Sequence, residues 1–194
     1  MILNQDNEYT AVLDACVLVP MALCDTLLRL AEGPAQYRPI WSDQILQEVG
    51  SALESKIGLT PEQRDYRIGM MRTAFPEAAI QIPNSFCESL TGIPEPKDRH
   101  VLAAAISGHA HVIVTSNTRD FPKDYLAGFD ILCHSPIPND FLIHQFHLNP
   151  YQILEKLDAQ AIAIRRQRGD LLSVLKRVAP KFVELIEAFL ADAV

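Results

Sequence analysis

Lys97 to Pro122, KDRHVLAAAISGHAHVIVTSNTRDFP, decides how the rest of the chain is read. Val101, Leu102, Ala105 and Ile106 fall on one stripe of a 100°-per-residue wheel, which predicts a helix over 98–109 with one face against a core. His111 to Ser116, HVIVTS, is short and β-branched, and reads as a strand. The same alternation appears on both sides. Tyr9 to Val19 is an apolar run broken by Asp14 and stopped by Pro20, a buried strand running into a turn. Residues 20–31 are helical and stop at Gly33-Pro34; a strand over Arg38–Trp41 leads to Ser42, a suitable N-cap for a helix over 43–57. Thr60-Pro61-Glu62 opens another helix to about Phe75, with Pro61 at its first position. Ala79–Ile82 and Phe129–Cys133 read as further strands, and TGIPEPK as a loop. Short apolar strands alternating with helices predict a parallel α/β sheet wrapped by helices. After Pro136 and Pro138 the pattern becomes helical over 139–148, 150–168 and 170–192, the last broken at Pro180. The expected organisation is an α/β domain over 8–138 and a helical extension over 139–194.

Composition narrows the function classes. The chain has 194 residues, 48% of them apolar, enough for one sizeable core and an appendage. The start, MILNQDNEYT, carries no basic and apolar secretory pattern, and no apolar run is long enough to span a membrane. Four cysteines without a CxxC pair or a regular framework point to packed, reduced thiols in a cytoplasmic protein. A net charge of −7 argues against a sequence-blind coat for nucleic acid. It does not argue against a nuclease, because a site that holds divalent cations must itself be anionic.

Four acids stand out. Asp14 interrupts a buried apolar strand, where an ionised carboxylate is costly unless paired, hydrogen-bonded or on a metal; at the C-terminal end of a parallel strand it faces the ligand crevice of such sheets. The plain alternative is a carboxylate capping a loop. Asp98 lies within the apolar stripe of its helix, yet an aspartate at a helix N-terminus is also an ordinary cap. Glu48 sits at the border of the apolar face formed by Ile45, Leu46, Val49, Ala52 and Leu53, where many glutamates are simply solvated. Asp120 follows the HVIVTS strand beside the neutral oxygens of Thr115, Ser116 and Asn117, in a segment that also reads as a turn. Taken together, two acids at strand ends and two on helix positions facing the same side can converge. Gathered carboxylates repel one another unless cations neutralise them. An oxygen-only donor set selects Mg²⁺ or Mn²⁺, ions that can activate water for in-line attack on a phosphodiester.

VLDACVLV (12–19), ILQEVGSAL (45–53) and EPKDRHVLAAAISGHAHVIVTSNTRDFP (95–122) resemble, in order, spacing and context, the PIN-domain family, in particular bacterial VapC-type toxins and their relatives with a helical tail. The similarity covers roughly residues 8–138. It implies a three-layer α/β/α fold with a central parallel sheet. It also implies an endoribonuclease using one or two Mg²⁺ or Mn²⁺ ions, and a place as the toxin of a type II toxin–antitoxin pair. Asp14, Glu48, Asp98 and Asp120 match the family's catalytic acids, with Asp14, Asp98 and Asp120 as metal ligands. Thr115, Ser116 and Asn117 match supporting polar positions. Many members carry an acid where Asn117 stands, which bears on a second metal. Expected partners are RNA, a cognate antitoxin and a second copy of the chain, with no membrane. Arg99, His100, Arg119 and Lys123 flank the acidic blocks and are candidate phosphate contacts.

A module that binds RNA or a partner without cutting is the competing class; an aspartyl-phosphate phosphotransferase with Asp14 as nucleophile is disfavoured because LDACV lacks a second acid two residues on. Arg165, Arg166 and Arg168 before Gly169 read as a basic helix C-terminus, with contact to RNA or an acidic partner as the alternative. His144 with His147, and His109 with His111, lack zinc spacing. The stripe Phe182, Val183, Leu185, Ile186, Phe189 and Leu190 is apolar enough to seat against the core, a second subunit or a partner.

Overall fold

The computed structural model describes residues 9–134 and 139–192. Most of the polar start MILNQDNEYT, and Pro136 and Pro138, where the sequence changes character, lie outside the described residues. Five strands form one parallel sheet: β1 (Thr10–Leu13), β2 (Arg38–Ser42), β3 (Ala79–Ile80), β4 (Val112–Val114) and β5 (Leu132–His134), in the order β3-β2-β1-β4-β5. Val12 stands opposite Ile40 of β2 and Ile113 of β4, so β1 is the middle strand. All four of its residues are buried, as expected of a strand covered on both faces.

The chain winds from β1 toward β3, then crosses back over β1 to β4 and on to β5. Right-handed crossovers in opposite directions lay helices on opposite faces, giving three layers, α/β/α. The helices of this part are α1 (Ala15–Leu18), α2 (Met21–Ala31), α3 (Asp43–Ala52), α4 (Pro61–Ala74), α5 (Asn84–Ser89), α6 (Arg99–Ser107) and α7 (Lys123–Ala127). Caps set two of the starts. Ser42 accepts from the Ile45 amide, and Thr60 closes a capping box with Gln63 behind Pro61. A left-handed Gly58 ends the π-helical turn Leu53–Ile57 that follows α3.

Several expectations need correction. The strand expected over Tyr9–Val19 ends at Leu13, and Ala15–Leu18 is helical; an apolar run carries no period that separates a buried strand from a buried turn of helix. The third strand is only Ala79–Ile80, and the last is Leu132–His134, displaced by the left-handed Asp130. The helix expected over 150–168 stops at Ala163, with Arg165 left-handed beyond it. Arg168 opens the next helix instead and grips Asp158 through Nε (2.6 Å) and Nη2, so Gly169 lies inside a helix rather than after one.

The remaining helices are α8 (Asn139–Leu148), α9 (Pro150–Ala163), α10 (Arg168–Leu175) and α11 (Pro180–Asp192). They share the core of the sheet. Phe141 of α8 sits edge-on to Tyr37. Gln160 of α9 is buried against α2, receiving the Thr26 hydroxyl at 2.7 Å and donating to the Ala22 carbonyl at 2.9 Å. Phe182, Val183 and Ile186 of α11 are fully buried, with Phe146 of α8 edge-on to Phe182 and Phe189, so this stripe is consumed within the chain.

Candidate active site

Winding reverses between β1 and β4, the place where a parallel sheet opens a crevice at its C-terminal edge. Asp14 follows β1 there, and Thr115, Ser116 and Asn117 follow β4. The Asp14 amide donates to the Val114 carbonyl at 3.1 Å, holding the two strand ends together. Asp14 occupies the N-cap position of α1 without making a side-chain cap. Its Oδ2 instead accepts the hydroxyl of fully buried Thr115 at 2.6 Å and the Cys16 thiol at 3.0 Å. The Thr115 hydroxyl oxygen in turn accepts the Asn117 amide at 3.0 Å. The Ser116 amide donates to the Cys16 sulfur at 3.1 Å, while Ser116 itself is exposed.

Asp98 closes a 3₁₀ turn (Pro96–Asp98) at the start of α6, again at an N-cap position and again without a side-chain cap. The cap reading of both aspartates therefore fails on geometry. Asn117 Nδ2 donates to Asp98 Oδ2 at 3.2 Å and also to Asp120 Oδ2, so one neutral amide spans the two carboxylates. Asp120 belongs to the 3₁₀ turn Thr118–Asp120. Glu48 is half-buried on α3, and its Oε1 lies 2.9 Å from Nε2 of the buried His100. A carboxylate only accepts, so Nε2 carries the proton.

Charge ties the four acids into one group. The Asp98 carboxyl is pushed up to about 6, first by burial, then by its hydrogen-bonded contact with Asp120 and by the charges of Asp14, Asp120 and Glu48. Burial, then the Asp14 charge, pushes the Cys16 thiol up to about 11 and the Cys133 thiol on β5 up to about 12. These thiols are packing and hydrogen-bonding groups, not thiolate nucleophiles. Among the described residues, no three His, Cys, Asp or Glu side chains are grouped tightly enough to hold a metal ion as they stand. The donor chemistry nevertheless suits a hard divalent cation. The acids present oxygen only, burial and then its acidic neighbours raise the proton affinity of Asp98, and a neutral amide stands between Asp98 and Asp120.

The candidate phosphate contacts are placed around this group. Arg119 and Lys123 are exposed, Arg99 is half-buried, and among the described residues none of the three forms an ion pair. Two participants escaped the sequence reading. Cys16 was legible only as a packed thiol, although its place two residues after Asp14 is the available signal. His100 was read as a possible phosphate contact, but it is buried and turned to Glu48. All four cysteines are free thiols.

No family model matches the chain, and no solved structure matches it. Among curated proteins, 52 residues, 27% of this chain, are 50% identical to "Putative ribonuclease VapC50" of Mycobacterium tuberculosis (strain ATCC 25618 / H37Rv). The match spans 30% of that protein's length. Over that stretch, and no further, the chain is similar to a protein that carries the name of a VapC ribonuclease.

Proposed function

We propose that the protein is a divalent-metal-dependent endoribonuclease of the PIN-domain, VapC-type class, working at the group formed by Asp14, Glu48, Asp98 and Asp120. The observation that carries this reading is the convergence of acids from separate parts of the chain: the Asn117 amide donates to both Asp98 Oδ2 (3.2 Å) and Asp120 Oδ2, and the Asp98 carboxyl, raised first by burial, also feels the charges of Asp14, Asp120 and Glu48. The short identity to a protein named as a ribonuclease supports the same class.

Asp14, Asp98 and Asp120 would hold Mg²⁺ or Mn²⁺. When bound, such an ion lowers the pKa of water and stabilises charge on a phosphodiester undergoing in-line displacement. The chain's own residues prepare that chemistry. Thr115 and Cys16 fix Asp14 Oδ2 in one orientation, leaving Oδ1 without a hydrogen bond among the described residues. Asn117 sets the separation of Asp98 and Asp120. His100 holds Oε1 of Glu48, which leaves Oε2 to orient the attacking water and take its proton. Arg99, Arg119 and Lys123, which form no ion pair among the described residues, meet the phosphates of the strand.

Cleavage of a single-stranded RNA in Mn²⁺, abolished by EDTA, is the test. Asp14→Asn and Asp98→Asn should each lower the rate at least about 100-fold while leaving the fold intact. Wild-type Mn²⁺-dependent cleavage by either variant would overturn the assignment.

The biological role follows as part of the same proposal: the toxin half of a toxin–antitoxin pair, acting in the cytoplasm as a homodimer and blocked by a small partner protein. Among the described residues no helix is long and apolar enough to cross a membrane. A short neighbouring reading frame encoding a DNA-binding protein that suppresses cleavage on co-expression would support this role, and its absence would count against it.

A further inference from the structure

A second concavity opens on the same edge of the sheet, beyond the ends of β2 and β3. It encloses about 440 Å³, within the range of small-ligand sites. Its polar lining is amide: Gln44 and Gln47 from the first turns of α3, Gln81 just after β3, and Asn84 at the start of α5. Among the described residues none of these four side-chain amides has a protein partner. Half-buried Ile80 and Ile82 supply apolar surface. Beside the free thiol of Cys87, two further polar groups of the lining are already committed. Ser42 caps α3, and Asp43 is paired with Arg72 at 2.7 Å. The concavity therefore offers uncommitted donors and acceptors beside a flat apolar wall, with its one carboxylate neutralised.

That combination suits an uncharged planar heterocycle with both donors and acceptors on its edge. Side-chain amides pair with base edges through two parallel hydrogen bonds, and apolar side chains cover the face of an unstacked base. Position gives the site a relation to the acids. Gln44 and Glu48 are four residues apart on α3 and so share a face of that helix. Strands about 4.8 Å apart put the end of β3 about 10 Å from the end of β1, within reach of the nucleotide next to one whose phosphate lies at the acids.

We infer that the amide-lined concavity between α3, β3 and α5 is a nucleobase subsite, which reads one unpaired base of the RNA strand beside the cleaved phosphate. This rests on the ribonuclease reading above, and the experiment separates the two. In the first arm, single-stranded RNA randomised around the cut is digested in Mn²⁺ by the wild type and by the Gln44→Ala/Gln47→Ala double variant, and the products are sequenced. Both substitutions fall on exposed helix positions. The wild type should show a base preference at one position next to the cut, and the double variant should flatten that preference about tenfold. In the second arm, ¹⁵N-labelled wild type in EDTA is titrated with the same single-stranded RNA, which stays uncut without the divalent cation; the side-chain amide signals of Gln44, Gln47, Gln81 and Asn84 should shift. Cleavage with an unchanged preference and silent amides would overturn the subsite and leave the nuclease reading standing. Responsive amides without any cleavage would support the subsite and overturn the nuclease reading. Silence in both arms would overturn both.

Discussion

Asn117→Asp exchanges the neutral amide between Asp98 and Asp120 for a further carboxylate, and its effect can be worked out in advance. The amide now donates to Asp98 Oδ2 at 3.2 Å and to Asp120 Oδ2. An aspartate in its place loses both charge-assisted hydrogen bonds and sets an anionic oxygen at a similar distance from Asp98. At 3.2 Å, unit charges repel by about 5 kcal/mol at an effective dielectric constant of 20, and by about 1 kcal/mol in water. Asn117 is exposed, and Asp98 can relieve the repulsion by staying protonated, so a destabilisation of about 1–3 kcal/mol is expected at pH 8 without metal. For a chain of this size that is roughly 2–4 °C in Tm per kcal/mol. The sign reverses when a cation binds. The variant offers it one more anionic ligand, so millimolar Mn²⁺ should raise the Tm of Asn117→Asp more than that of the wild type. Paired thermal melts in EDTA and in Mn²⁺ are the measurement. Equal melting in EDTA together with equal gains in Mn²⁺ would refute the idea that Asn117 spaces carboxylates around a cation position.

The pH dependence of the metal-free protein offers a second check. The folded Asp98 carboxyl lies near 6 against an ordinary value of 3.8, so the folded state binds the extra proton and stability falls as pH rises from about 4 to 6. The full shift corresponds to about 3 kcal/mol, which partial exposure of Asp98 reduces to on the order of 1 kcal/mol; Asp98→Asn should remove this slope in urea titrations, and its persistence would place the titrating group elsewhere. Mn²⁺ should move the midpoint of that transition downward, since cation and proton compete for one carboxylate, and a salt-matched control without divalent ions should not. Gln160→Ala removes the buried amide that links α9 to α2; the Thr26 hydroxyl keeps its bond to the Ala22 carbonyl at 2.9 Å, so the loss should be about 1–2 kcal/mol by denaturant unfolding. A loss below about 0.5 kcal/mol would mean that this contact does not tie the C-terminal helices to the sheet.

What could be read in the chain beforehand follows a physical division. Local signals located elements well. Ser42 ahead of α3 and Thr60-Pro61 ahead of α4 are caps whose effect lies within four residues, and Gly33-Pro34 ends α2 for equally local reasons. Within Tyr9–Val19 the strand is legible but its end at Leu13 is not, because a run buried on every side has no polar face to reveal its period. The break after Ala163 was missed because Arg165, not a glycine, takes the left-handed conformation. For the site, Asp14 was legible because a charge inside an apolar run demands a reason. Its partner Thr115 is 101 residues away, and His100 meets Glu48 across 52 residues. Such pairings depend on how helices dock on the sheet, and no pattern along the chain records them.

The arginines and lysines bear on the proposed role of the acidic group. Where this protein uses a carboxylate structurally, a cation closes on it: Arg168 on Asp158, Arg72 on Asp43, Arg64 on Glu54. Arg99 is adjacent in sequence to Asp98, and Arg119 to Asp120, so the same solution was available at negligible chain entropy. Neither is taken. The acids are held instead by neutral donors, the Thr115 hydroxyl, the Cys16 thiol and the Asn117 amide, which fix orientation without cancelling charge. Their cost is visible in the raised Asp98 carboxyl. Retained negative charge at the reversal point of the sheet, with the neighbouring Arg99 and Arg119 outside any ion pair among the described residues, is the arrangement a divalent cation and a phosphate together would complete.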